Sequence, residues 1–217
     1  NSDSTLKFVA NGDFSKFTGV QVDGTLIAAD QYTAVSGSTA ITLNKDYLNT
    51  IKVNIPNNTN APDLLEEIMY NLEWMLTMQD PSDGGVYHKL TTPNFESFVM
   101  PQDCHQTRYV VQKSTPATLD FAATMAMAAR AYSPFPQHTA FCQQARQAAE
   151  RAYAWAVRNP ARYYDQEDIN SKYVPAINTG TYGDDKAEDE FFWAATELYL
   201  TTGEKAYLEQ AKLFAPD

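Results

Sequence analysis

The sequence predicts a mainly α-helical fold that is preceded by a small β-rich segment, with the change near residue 52. Before this point, β-branched and aromatic residues alternate with polar ones in short runs between turn residues, which is typical of strands. After it, apolar residues recur every three or four positions, which is typical of helices. We therefore expect one domain at residues 1–52 and another at residues 53–217.

Three short strands are predicted in the first segment. They cover residues 18–24, 31–35 and 39–43, and Ser36-Gly-Ser38 joins the last two. About 50 residues bury little apolar surface, which makes an independent β-sandwich only marginally stable. Residues 53–61 contain Pro56 and several asparagines, which is typical of a connector.

Five helices are predicted after this connector. Pro62 and Thr115-Pro116 are good starting signals, because the N–H that proline lacks would be unpaired in a first turn. Alanine is frequent in the second and third helices, and small residues let helix backbones approach closely. The predicted ranges are about 62–80, 115–132, 139–158, 187–200 and 203–214.

Two long connections, residues 81–114 and 159–186, separate these helices. Connections of this length in a compact domain are usually functional. Functional residues are therefore expected in these two connections.

Charge and hydropathy exclude some partners. The chain has 16 Lys+Arg against 27 Asp+Glu, a net charge of -11, and shows no basic cluster. Nucleic acids and anionic membranes attract basic surfaces, so neither is an expected partner. No apolar run is long enough to predict a membrane span, and the polar start, Asn1-Ser2-Asp3-Ser4, lacks the features of a signal peptide and predicts a mature or trimmed end.

The first connection offers candidate sugar-binding residues. Gly84-Gly85 permits a tight turn, and in an extended segment beyond it Tyr87 and His88 would point to opposite sides. An aromatic ring can stack on a sugar, and an imidazole can hydrogen-bond its hydroxyls. The alternative interpretation is a structural turn with a surface histidine.

The second connection ends in an acidic run. Five carboxylates fall within residues 184–190, and dense oxygen ligands suit Ca²⁺, although the spacing is not that of an EF-hand. The alternative is helix capping, since acidic side chains at a helix N-terminus are favoured by the helix dipole.

A zinc site is the second metal hypothesis. Structural zinc usually takes four nitrogen or sulfur ligands, which only Cys104, His105, His138 and Cys142 could supply. Their spacing matches no zinc finger. The two cysteines could also form a disulfide or be unrelated thiols.

Three stretches together resemble glycoside hydrolase family 9, the inverting cellulases, and especially its branch with an Ig-like N-terminal domain. The stretches are Pro62–Pro81 running into Gly84–Thr91, then Ser114–Ala123, then Tyr182-Gly-Asp followed by Asp189–Tyr199. The resemblance covers about residues 53–217 and implies part of an (α/α)₆ toroid with a glucan cleft. Residues 1–50 more weakly resemble an Ig-like accessory module.

The resemblance implies an endo-β-1,4-glucanase that acts on a β-glucan polysaccharide or cello-oligosaccharide and is secreted or displayed by a bacterium. It implies that His88 contacts glucose hydroxyls, that Tyr182 is a cleft aromatic, and that Asp189-Glu190 with Asp185 binds Ca²⁺. Cys104-His105 resembles half of a zinc site of the same branch.

One departure from the family qualifies this expectation. The family's base lies in an Asp-Ala-Gly-Asp motif and its acid is a glutamate far downstream, and neither occurs in this chain. We therefore assign no catalytic residue and expect the chain to be incomplete. Its unfinished helical faces predict self-association, and the alternative function is a non-catalytic glycan-binding or structural fragment.

Overall fold

The computed structural model describes residues 6–9, 14–22, 25–36, 40–44, 46–47 and 61–216. The chain divides into two compact units, residues 1–64 and 65–217. The predicted connector lies outside the described residues except for Ala61.

The first unit contains short antiparallel strands. β1 (Leu6–Val9), β5 (Ala40–Leu43) and β4 (Tyr32–Val35) form one sheet in that order, and β2 (Gln21–Val22) pairs with β3 (Thr25–Leu26). Strands are present at the last two predicted positions, and they pair with each other, with Tyr32 opposite Leu43 in the register. In the predicted strand at 18–24, the described strand residues are Gln21 and Val22, residues 23–24 lie outside the described residues, and β1 is additional. The Ig-like assignment stays a prediction.

The second unit is helical, and all five predicted helices are present. A sixth short helix, α4, lies in the second long connection and was not predicted. The helices are α1 (Asp63–Thr77), α2 (Thr115–Tyr132), α3 (Thr139–Arg158), α4 (Gln166–Lys172), α5 (Glu188–Thr202) and α6 (Lys205–Phe214).

Helix α2 is the centre of the core. It packs against α3 and α5, and α5 packs against α6. Ala122, Ala126, Ala149, Ala152 and Ala195 are fully buried at these contacts. Because alanine side chains are small, the helix backbones lie close together. Few large side chains are then needed to fill the core.

The helix ends follow the signals in the sequence. The Ser114 hydroxyl accepts the Ala117 N–H at the start of α2. Gly203, with a φ of 74°, ends α5, and its N–H donates to the Tyr199 carbonyl. The start of α2 therefore places Ser114 at a fixed position beside the first long connection.

Several apolar side chains remain exposed in this unit, among them Tyr70, Trp74, Leu200 and Leu213. Such residues are consistent with helical faces that lack a packing partner within the described chain. In the part of the chain that the structure describes, none of the helices has the length and apolar character to cross a membrane.

Candidate functional site

The two ends of the first long connection pair with each other as a short antiparallel ribbon. A tight turn precedes this ribbon. In the turn, the Asp80 N–H donates to the Gly85 carbonyl at 2.8 Å. Beyond the turn, β6 (Leu90–Thr91) pairs antiparallel with β7 (Tyr109–Val110), and Tyr87 pairs with Lys113. The ribbon presents three consecutive side chains, Tyr87, His88 and Lys89.

Tyr87 belongs to a charged network at the base of this ribbon. Its hydroxyl donates to Asp80 at 3.2 Å, and the Lys113 ammonium lies 5.5 Å from its ring centroid. Lys113 also bridges Asp80 at 2.7 Å and Asp83 at 2.8 Å. The hydrogen bond from Lys113 holds the pKa of Asp80 well below its usual range. Sugar stacking by Tyr87 stays a prediction, because its ring packs against the helical core and its hydroxyl is already engaged.

The His88 side chain lies on the other side of the ribbon from Tyr87, as expected for consecutive residues of an extended segment. Its Nδ1 lies 2.9 Å from the Ser114 hydroxyl, and its Nε2 lies 2.9 Å from the Thr181 carbonyl. Its ring stacks on Tyr164 with the centroids 4.5 Å apart.

These contacts define the protonation of His88. A carbonyl only accepts, so Nε2 carries the proton and the Ser114 hydroxyl donates to Nδ1. Burial lowers the pKa of His88, which favours the same neutral form. Both ring nitrogens are bonded to the protein, and direct contact between His88 and glucose stays a prediction.

Lys89 connects the ribbon to the second long connection. Its ammonium donates to the Gln166 side-chain oxygen at 2.9 Å, to the Thr179 hydroxyl at 3.3 Å and to the Gly180 carbonyl. Gln166 also donates to the Thr179 carbonyl at 3.0 Å. Burial lowers the pKa of Lys89.

Two aromatic rings flank this ammonium. Its Nζ lies 5.2 Å from the Tyr164 centroid and 5.8 Å from the Tyr182 centroid. Tyr182 has a φ of 50° and is 73% exposed. The predicted cleft aromatic is therefore a ring that the protein holds from one side and exposes to solvent.

The two chain neighbours of Tyr182, Thr181 and Gly183, help to line an open cavity of about 530 Å³, a volume typical of small-molecule sites. Its lining is aromatic, amide and acidic, which suits a neutral ligand rich in hydroxyl groups. The residues that line it are Tyr163, Tyr164, Asp165, Gln166, Glu167, Thr181, Gly183, Asp184 and Asp185.

Part of the acidic run accepts hydrogen bonds from backbone N–H groups just before α5, which has no side-chain capping bond at its N-cap residue, Ala187. Asp184 accepts the Asp185 N–H at 2.8 Å, and Glu188 accepts the Ala187 N–H at 3.2 Å. Among the described residues, no three His, Cys, Asp or Glu side chains gather into a group that could hold a metal ion. The structure therefore does not bring Asp185, Asp189 and Glu190 together as one ligand set.

Glu190 is nevertheless electrostatically unusual. Burial is the main cause that raises the pKa of Glu190 to about 7, and a hydrogen bond with Asp189 is the second. One of its carboxylate oxygens is buried and has no hydrogen-bond partner. Burial and the charges of Asp189 and Asp184 also raise the pKa of Asp120. Several carboxylates thus repel one another near the start of α5.

The proposed zinc ligands are not assembled either. Cys104 and Cys142 are free thiols, and a hydrogen bond with Glu96 raises the pKa of Cys104. His138 packs edge-on against Tyr132, with the centroids 5.2 Å apart. Zinc binding stays a prediction.

Comparisons with known proteins identify the family. The sequence profile of Glycosyl hydrolase family 9 matches residues 28–216. A xyloglucan-specific endo-beta-1,4-glucanase of Bacteroides ovatus is 58% identical over 173 residues, which are 79% of this chain and 30% of that protein. Endoglucanase D of Acetivibrio thermocellus is 34% identical over 212 residues, 95% of this chain and 30% of that protein.

Solved structures agree. A Bacteroides ovatus family 9 structure superposes with a TM-score of 0.74 at 58% identity, covering 79% of this chain and 32% of that one. A thermostable endoglucanase from Alicyclobacillus acidocaldarius gives a TM-score of 0.64 at 36% identity, covering 71% and 28%. The chain thus spans about a third of the length of these relatives.

The structural relatives have the (α/α)₆ fold, so the predicted fold class is confirmed. The chain belongs to glycosyl hydrolase family 9, of which it holds part of the helical domain.

Proposed function

We propose that the full-length protein is an endo-β-1,4-glucanase and that this chain supplies part of its substrate cleft. The observation that carries the proposal is the exposed Tyr182 ring, which lies over the Lys89 ammonium on a segment whose residues Thr181 and Gly183 line an open polar cavity. Aromatic rings of this kind stack on the apolar faces of sugar rings.

Xyloglucan is the proposed substrate among the β-1,4-glucans. The proposal rests on the relative at 58% identity, whose name specifies xyloglucan. The cavity that Thr181 and Gly183 help to line is open, which is compatible with a branched glucan chain.

The part of the reaction that this chain's residues perform is binding. An inverting glycosidase places two carboxyl groups about 6.5–9.5 Å apart, so that one protonates the leaving oxygen and the other deprotonates a water. We assign neither role to a residue of this chain. Tyr182 would support a sugar ring, and the carboxylates of Asp165 and Glu167 at the cavity wall would accept hydrogen bonds from its hydroxyls.

The test is hydrolysis by the full-length protein. We expect it to release reducing ends from soluble xyloglucan faster than from carboxymethyl cellulose, and to form the inverted anomer, as followed by proton NMR. A retained anomer would contradict the family mechanism. Calorimetric binding of oligosaccharides without turnover would instead support the non-catalytic alternative.

Calcium is proposed as a stabilising ligand at the start of α5. The support is the unpartnered, buried oxygen of Glu190 among mutually repelling carboxylates, which a divalent cation would relieve. Binding would require Asp185, Asp189 and Glu190 to move together from their positions in the structure.

Removal of calcium is therefore expected to lower the melting temperature. In the full-length protein, millimolar Ca²⁺ should raise Tm by several degrees over a chelator-treated sample, as ligand linkage requires. Asp189→Asn should abolish this difference, whereas the exposed control Glu209→Gln should keep it. Equal Tm values with and without Ca²⁺ in the unmodified protein would leave capping as the role of the acidic run.

The location and self-association of the protein are also proposals. A polysaccharide substrate cannot enter a cell, so the enzyme must act as a secreted or cell-surface protein. We further propose that the exposed apolar faces marked by Tyr70, Trp74 and Leu213 pack on the rest of the toroid in the full-length protein, and that they make the 217-residue chain associate with itself when alone.

A further inference from the structure

We propose that Lys89 is a positioning residue for glucan binding: it fixes the Tyr182 ring against the cleft and makes no contact with the substrate itself. This inference rests on the proposed function and assigns a task to a half-buried cation that has no carboxylate partner among the described residues.

The bonding of Lys89 points to this task. None of the ion pairs between described residues includes Lys89. Its ammonium has three protons and three neutral acceptors, on Gln166, Thr179 and Gly180. Burying an ammonium is costly unless its donors are satisfied, and these three acceptors satisfy them without a carboxylate.

The three acceptors lie on two different segments. Gln166 is the first residue of α4, whereas Thr179 and Gly180 precede Tyr182 by three and two residues. Lys89 itself lies on the ribbon. One ammonium therefore ties together the ribbon, α4 and the segment that carries the cleft aromatic.

The placement of the Tyr182 ring also depends on the Lys89 ammonium. A Cβ at Gly180 would lie 2.7 Å from the ring, which shows that the ring folds back closely over the Gly180 backbone. The Lys89 ammonium lies under the ring at 5.8 Å from its centroid, a cation–π distance. The left-handed backbone of Tyr182, with a φ of 50°, is strained and needs such support.

The chemistry of lysine suits this position better than that of arginine. A compact ammonium can direct three donors at separate acceptors, whereas a planar guanidinium directs its donors in a fixed fork. Arginine would keep the charge and lose part of the bonding. Methionine has a similar length and would lose both.

The kinetic signature follows from where the ring acts. A platform that supports the sugar chain binds substrate and transition state alike, so its loss raises KM and leaves kcat nearly unchanged. We expect Lys89→Met to raise KM on soluble xyloglucan about tenfold, and Lys89→Arg to give a smaller rise in the same direction. The exposed control Lys205→Met should behave as the unmodified protein.

The decisive experiment is a double-mutant cycle in the full-length protein. If Lys89 acts through the ring, Tyr182→Ala alone should raise KM at least as much as Lys89→Met, and adding Lys89→Met to Tyr182→Ala should change KM little. The inference would be overturned if the factors by which the two single substitutions raise KM multiply in the double variant. It would also be overturned if Lys89→Met has the KM of the unmodified enzyme.

Two controls keep the result interpretable. Gly180→Ala keeps the backbone carbonyl that accepts from Lys89 but displaces the ring, so it should reproduce the rise in KM even if Lys89→Met fails to fold. If the unmodified full-length protein neither cleaves nor binds β-glucan, the proposed function fails. If it does and the cycle shows no coupling, only the role of Lys89 fails.

Discussion

Gly84→Ala is expected to lower the free energy of unfolding by about 3 kcal/mol, whereas Gly203→Ala should lower it by about 1 kcal/mol. Both glycines have positive φ, 90° at Gly84 and 74° at Gly203. A Cβ at Gly84 would lie 2.8 Å from the Arg151 carbonyl oxygen, which belongs to the backbone of α3 and cannot move aside. A Cβ at Gly203 would meet no atom within 4 Å.

The pair separates backbone strain from packing, because only Gly84 combines the two. Thermal unfolding of the full-length variants should give a clearly lower Tm for Gly84→Ala than for Gly203→Ala. Equal losses would mean that the turn can move away from α3. Because this turn starts the ribbon that carries His88 and Lys89, we also expect Gly84→Ala to weaken glucan binding.

The five predicted helices could be found from the sequence because local and long-range signals agree in them. Helix α2 begins at Thr115 and α3 ends at Arg158, as Pro116 and Asn159-Pro160 predict. Most alanines of both helices are buried, so the same residues that favour the helix locally also build the core.

Helix α4 could not be found in this way. Its seven residues, Gln166–Lys172, are mostly polar and show no apolar period. The signal in the sequence for this helix is its N-cap residue, Asp165. Its carboxylate accepts the Asp168 N–H at 3.0 Å. Tertiary contacts then support the helix through Ile169, which packs against the small cluster of Val111, Tyr164 and Ile177.

The candidate site was only partly accessible from the sequence. His88 and Tyr182 were predicted separately, and the structure joins their segments through the His88–Thr181 hydrogen bond. Lys89, Tyr164 and Gln166 were missed, because each matters through contacts with residues far away in the chain. Periodicity and spacing carry no information about such contacts, and here the resemblance supplied only the positions that match a family motif.

His88→Ala is expected to lower kcat/KM on soluble xyloglucan about 100-fold, because misplacing a substrate-positioning segment by about 1 Å can cost that much. The substitution removes the stack on Tyr164 and both hydrogen bonds of the imidazole, to Ser114 and to the Thr181 carbonyl. It leaves that carbonyl without a donor next to Tyr182. The segment that carries the cleft aromatic would then be held by the contacts of Thr179 and Gly180 with Lys89, Gln166 and Thr91.

Two conservative variants identify which bond of His88 matters. A glutamine amide can take the place of Nε2 and donate to the Thr181 carbonyl, whereas the shorter asparagine amide takes the place of Nδ1 and reaches only toward Ser114. Because Nε2 is the donor in the neutral imidazole, His88→Gln should retain more activity than His88→Asn. The reverse order would show that the anchor at Ser114 is the important one. Unmodified activity in His88→Ala would remove His88 from the site altogether.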